Sequence, residues 1–160
     1  MDTAMDRGQP ASHIRYITFS LQDTLFGIDI LNIREIVPVT QITPVQQAPD
    51  LVRGLVNLRG QVLTVLDISI LMGLKPLQSG SDSHIIVFKH RNTGFLVDRI
   101  GDVITLDPGQ AEPVPANIDP KIRHCMDHVI HLESELIMIL RAEKIFSFSP
   151  QAVQALKGDR

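Results

Sequence analysis

The 160-residue chain has one cysteine, one tyrosine and no tryptophan. A lone Cys125 cannot close a disulfide within the chain, so a reducing compartment, the cytoplasm, is the default expectation. With so few Tyr and Trp, the chain lacks the aromatic platform on which single-stranded nucleic acids stack. Charge argues the same way: 15 Lys and Arg against 18 Asp and Glu leave a net charge of -3, with no basic stripe for a phosphate backbone. No apolar run approaches the roughly 20 residues that cross a bilayer. Residues 1–13 are polar and lack the basic start and apolar stretch of a secretory signal. Also missing are G-x-S-x-G, G-x-G-x-x-G, G-x-x-x-x-G-K-[ST], H-E-x-x-H and C-x-x-C, which removes the commonest local signatures of hydrolases, dinucleotide and nucleotide binders, metalloproteases and redox enzymes.

What the chain does contain is 44% hydrophobic residues in short runs, separated by ten Gly and ten Pro. Residues 14–21, 26–30 and 33–37 read as strands, and 42–45 is extended because the residue before Pro44 is pushed out of the helical region. Residues 55–58 and 62–66 flank Arg59-Gly60 and read as a β-hairpin. Residues 68–72, stopped by Gly73, suit a helical turn, and 77–83 is a Gly/Ser linker. Further strands are read at 85–88, 95–98 and 103–106, then a second hairpin over 129–132 and 136–140, and a short helix over 142–148. Many short strands with turn residues between them favour an all-β barrel or sandwich over an α/β fold. The ends, 1–13 and 149–160, read as tails.

The chain also repeats itself. Residues 54–72 slide without a gap onto 128–146: Leu55 meets Val129, Leu58 meets Leu132, Val62 meets Leu136, Val65 meets Ile139, and Met72 meets Phe146. The turns coincide, with Arg59 on Glu133. Upstream, Ile17-Thr18-Phe19 resembles Ile86-Val87-Phe88, residues 26–29 resemble 95–98, and Glu35-Ile36-Val37 resembles Asp102-Val103-Ile104 after a slip of two residues. The reading is two homologous β units, about 14–82 and 83–148, each too small for a generous core. They are expected to pack together and leave a groove at the junction.

Three groups carry potential chemistry. His124, Cys125, Asp127, His128 and His131 are zinc-ligand types, but in an extended segment neighbouring side chains point to opposite faces and only a subset can converge. Asp29, Asp67 and Asp98, each among apolar residues, match paired acid/base carboxylates and, more ordinarily, turn aspartates that accept backbone amides. Cys125 as a nucleophile needs an activating base that nothing in the pattern supplies. Arg59 differs: a planar donor at a hairpin tip is either a solvated turn residue or a partner anchor.

Gly27-Ile28-Asp29-Ile30, Glu35-Ile36, Gly54-Leu55-Val56-Asn57-Leu58-Arg59-Gly60-Gln61-Val62, Val65-Leu66-Asp67-Ile68 and Phe95-Leu96-Val97-Asp98 together resemble the CheW family over about residues 14–148. The resemblance implies two SH3-like five-stranded β-barrels packed around a shared hydrophobic core, with short connecting and C-terminal helices. It implies no catalysis and no cofactor. It further implies an adaptor, cytoplasmic at receptor arrays, that couples the tips of methyl-accepting chemoreceptors to the regulatory domain of a CheA-type histidine kinase. Independently of the family, exposed barrel edges would allow weak self-association. By position, Ile33, Glu35, Arg59 and Ile85 are the implied receptor-binding residues and Gly54 the implied kinase-binding residue. The chain departs from the family at His128, where glycine is expected, at Thr64, where proline is common, and at Arg141. These departures leave open a pili or gliding system rather than a flagellar one. A metal-binding sensor built on residues 124–131 is the alternative from another class. The adaptor half of a CheV-like protein is a further alternative, and the length favours the free-standing form.

Overall fold

The computed structural model describes residues 13–148 apart from Ser79. The tails read at 1–13 and 149–160 fall outside these residues, except for His13. Eleven strands are described: β1 (Ile14–Leu21), β2 (Thr24–Asp29), β3 (Ile33–Pro38), β4 (Val52–Leu58), β5 (Gln61–Leu66), β6 (His84–Phe88), β7 (Thr93–Val97), β8 (Arg99–Leu106), β9 (Ala111–Glu112), β10 (Met126–Leu132) and β11 (Glu135–Leu140). Helix α1 (Pro120–His124) precedes β10, and α2 (Ala142–Phe148) follows β11. No described helix is long and apolar enough to cross a membrane.

The strands form two sheets, in the orders β8-β1-β2-β11-β10-β9 and β3-β6-β7-β5-β4. With the repeat of the sequence laid over them (β3 on β8, β6 on β1, β7 on β2, β5 on β11, β4 on β10) the two orders are the same. The two-residue β9 is the one addition. Irregularities repeat as well: β4–β5 slips register between Val52 and Gly54, and β10–β11 slips between Met126 and His128. Arg59 and Glu133 share a φ of 53° at the two tips. Duplication is therefore visible in backbone geometry, which a match of hydrophobic pattern alone does not require.

The sheets correct the expected division at residue 82. Hairpin β1–β2 from the first half lies between β8 and β11 of the second, and hairpin β6–β7 from the second half lies between β3 and β5 of the first. One sheet thus draws on residues 33–97, and the other on 14–29 and 99–140. The joints are the parallel pairings of β11 with β2 and β5 with β7, which place Gly27 beside Ile139 and Gly94 beside Val65. This equates Gly27 with Gly94 and corrects the match of 26–29 to 95–98. Gly27 lies eight positions after Phe19, and Gly94 lies six positions after Phe88. The slip of two residues therefore lies in the hairpin turn.

Exchange also explains the burial. β1 is covered on both faces: Ile17, Phe19 and Leu21 enter a core that spans both sheets, whereas Tyr16 joins Leu106, Ile130, Ile137 and Ile139 in a smaller cluster within the six-stranded sheet. All of β7 is buried. Phe88, Phe95 and Phe146 meet with ring centroids 4.5–5.6 Å apart, so α2 seals the five-stranded sheet of the opposite half. Because the main core draws on both sheets, unfolding is expected as one transition. Phe88→Ala should cost about 3–5 kcal/mol and keep that single transition when denaturation is followed by far-ultraviolet circular dichroism. Separate melting of two halves would contradict the exchanged architecture.

Candidate functional site

The Glu35–Arg59 pair grows out of the β4–β5 tip. Arg59 and Gly60 both have positive φ, 53° and 85°, the requirement for the two central residues of a type I′ turn. Asn57 Oδ1 accepts the Gly60 amide at 3.0 Å and braces the turn. Arg59 is thereby aimed out of the hairpin, and its Nη2 donates to Oε2 of Glu35 on β3. The same carboxylate oxygen lies 3.5 Å from Arg34 Nε. Strands β3 and β4 are the two ends of the five-stranded sheet. The ion pair therefore ties one end to the other, alongside the Thr43–Leu55 bridge.

Arg59's side chain remains 67% exposed, against 25% for Glu35. The arginine is held at one edge and open at the other, so remaining guanidinium donors face solvent. The bond from Arg59, and the charges of Arg59 and Arg34, hold the Glu35 carboxyl below the ordinary carboxylate range. Val62, exposed at 53%, follows the tip on β5 and adds apolar surface next to it.

The other implied residues separate into surface and interior. Ile33 is half-buried opposite Phe88, on the same strand as Glu35. Ile85 corrects the expectation: it is wholly buried, because β6 lies between β3 and β7, and it presses on the bare Cα of Gly94. It supports the surface from beneath and offers none itself. Gly54 is likewise buried. A Cβ there would lie 2.3 Å from the Thr43 carbonyl oxygen, so the glycine is required by the close approach of the segment that bridges Leu55 through Thr43.

The histidine-rich segment is dispersed. His128 packs edge-on against Tyr16 and faces Asp127 at 3.2 Å, while His131 faces Glu112 at 3.4 Å. Cys125 is buried, and burial pushes its thiol up, away from thiolate chemistry. Among the described residues, no group of three or more His, Cys, Asp or Glu converges to hold a metal. Two of the three aspartates accept backbone amides: Asp29 takes that of Leu31, and Asp67 takes those of Ser69 and Leu77.

One feature of the sequence escaped the reading by pattern. Arg53 Nη1 bonds Asp67 Oδ2 at 3.0 Å, and Arg141 Nε lies 3.5 Å from Asp127. In the repeat, Arg53 falls on Asp127 and Asp67 on Arg141, so the two halves carry one ion pair with its charges exchanged. The signal was available as two opposite-charge substitutions between the repeats.

The CheW-like domain model matches residues 15–149. The chain belongs to the CheW-like domain family. It is 32% identical to the chemotaxis protein CheW of Rhizobium meliloti (strain 1021), over 81% of this chain and 85% of that protein. It is 31% identical to the chemotaxis protein CheW of Helicobacter pylori, over 82% and 81%. Among solved structures, the scaffolding protein TtCheW from Thermoanaerobacter tengcongensis aligns with a TM-score of 0.71 at 28% identity, covering 80% of this chain and 84% of that one. The two sheets are accordingly the two SH3-like barrels of a CheW-like domain, with β3–β7 forming barrel one.

The pair at the barrel-one tip makes a prediction about acidity. Glu35's lowered carboxyl means that the pair forms above the ordinary carboxylate range and breaks as pH falls through the lowered value. In Arg59→Ala the Glu35 side-chain carboxyl should titrate at higher pH than in the parent, followed by carbon-detected NMR. Coincident titrations would show that the pair does not form in solution.

Proposed function

We propose that this chemotaxis adaptor holds the cytoplasmic tip of a methyl-accepting chemoreceptor against the regulatory domain of a CheA-type histidine kinase. It does so without catalysis and without a cofactor, in the cytoplasm at receptor arrays. The observation that carries the reading is Arg59: a guanidinium fixed by Glu35 at a braced tip, yet still largely exposed. Pre-organisation of this kind lowers the entropic cost of an interface anchor. Ile33 supplies half-buried apolar surface on the same strand, so receptor recognition is assigned to Ile33, Glu35 and Arg59, with Ile85 as their buried support. The kinase is assigned to the far end of barrel one, around Gly54. There the buried glycine lets β4 approach Thr43, and its exposed neighbours make the contact.

Adaptors of this kind work through modest interfaces repeated many times, because linked weak contacts gain from high effective concentration. The sheet ends also leave backbone groups for weak self-association.

Arg59→Ala and Glu35→Ala should each reduce capture of a receptor signalling fragment in a pull-down. The expected loss is about 1–2 kcal/mol of binding, with melting temperature changed by only a few degrees because the pair lies at the surface. Capture of receptor and kinase at parent levels by both variants would refute the assignment.

A further inference from the structure

Asp67 is a carboxylate buried to 1% exposure, in a chain whose repeat needs no such group at the matching position. It accepts four hydrogen bonds. Oδ1 takes the amide of Ser69 at 3.2 Å and the Ser69 hydroxyl. Oδ2 takes Arg53 Nη1 at 3.0 Å and the Leu77 amide at 2.8 Å. The Ser69 hydroxyl also reaches the Lys75 carbonyl at 3.0 Å, and Gln22 from the β1–β2 tip reaches the same carbonyl at 2.6 Å. A buried anion is retained without large cost only when its acceptors are filled in this way. The knot holds residues 67–77, whose Met72 amide bonds the Ile68 carbonyl at 3.1 Å, as a single hydrogen-bonded turn that does not extend into a helix. In the second half Arg141 stands there, 46% exposed beside Asp127, and the chain continues as α2, whose Phe146 crosses to pack on Phe88 and Phe95 of barrel one. Beside the knot lies an open cleft of about 970 Å³, lined by Arg53, Asp67, Ile70, Lys75, Gln22 and Asp98.

We infer that Asp67 is a positioning residue for kinase recognition: it sets the Arg53 guanidinium and the 67–77 turn in the shape that the kinase domain reads at the end of barrel one. The inference rests on the reading that the Gly54 end of this barrel faces the kinase. Arg53 is adjacent to Gly54 and, unlike it, partly exposed, at 30% of its side chain. Arg53 and Arg59 stand at opposite ends of β4, about 20 Å apart at roughly 3.3 Å per residue. The knot therefore acts on one partner and not on the other.

The test titrates the full chain calorimetrically with the kinase regulatory domain and, separately, with a receptor signalling fragment. Asp67→Asn keeps the shape but replaces one acceptor oxygen with a donor, and should weaken kinase binding about tenfold. Ser69→Ala should weaken it about threefold, and receptor affinity should stay within about twofold in both. A role in overall stability alone would lower both affinities together, and that result overturns the inference, as does parent-like kinase binding in both variants. If Asp67→Asn fails to fold, Ser69→Ala and Arg53→Lys carry the same comparison. Hydrogen exchange at the Leu77 amide provides a readout without any partner: it should accelerate in Asp67→Asn, and an unchanged rate overturns the inference even where the kinase reading stands. A parent chain that binds the receptor fragment but not the kinase domain overturns that reading, and this inference with it.

Discussion

The parallel pairings of β2 with β11 and of β7 with β5 are the joints on which the molecule depends. Each seats a hairpin from one half inside the barrel of the other. Parallel neighbours cannot be joined by a tight turn, so both joints are closed by contacts distant in sequence. A glycine marks one seat: at Gly27 an added Cβ would meet Ile139 across the joint at 2.8 Å, while at Gly94 it would meet Ile85 of its own hairpin at 2.5 Å. The exchange carries apolar faces of both halves into one core, which is how two units of marginal size reach a stable ratio of buried to exposed surface.

The surface inherits its asymmetry from residues laid on that symmetric frame. Both barrels present a hairpin tip with the same left-handed residue, but Arg59 meets Glu35 in one, whereas the matching positions in the other hold Glu133 and Asp102. One tip closes its barrel with an ion pair and offers a guanidinium. The other is acidic. After the last hairpin of each half the contrast recurs: the first half turns back on a buried carboxylate, whereas the second continues as α2, whose Phe146 packs on Phe88 and Phe95 of barrel one. Side-chain substitutions at equivalent points of a duplicated fold thus change surface chemistry without disturbing the backbone.

Much of this was readable before any coordinates. Strands at 14–21 and 33–37 and the helix at 142–148 follow from period and turn residues, and the tip at Arg59-Gly60 follows from the glycine. The residues missed are those whose roles are not periodic. Helix α1 is announced only by Asp119-Pro120, with Asp119 capping the Lys121 amide at 2.8 Å and no apolar stripe. Strand β9 has two residues and exists by pairing with β10. Ile85 was placed on a surface because an apolar residue at the start of a strand does not state how many strands flank it. Asp67 gives no sign of its partner Arg53, because a contact between β4 and the turn after β5 has no local signature.

By itself the sequence determined the all-β class, the duplication, the positions of both hairpin tips and the family, since each is written in local periodicity, turn chemistry or motif. Only the tertiary structure decided which half completes which barrel, that Glu35 rather than solvent receives Arg59, and that Ile85 and Gly54 lie inside. The reason is physical. Burial and ion pairing depend on which strands become neighbours, and β pairing over long separations is selected by the fit of whole faces in a common core rather than by any residue's own preference.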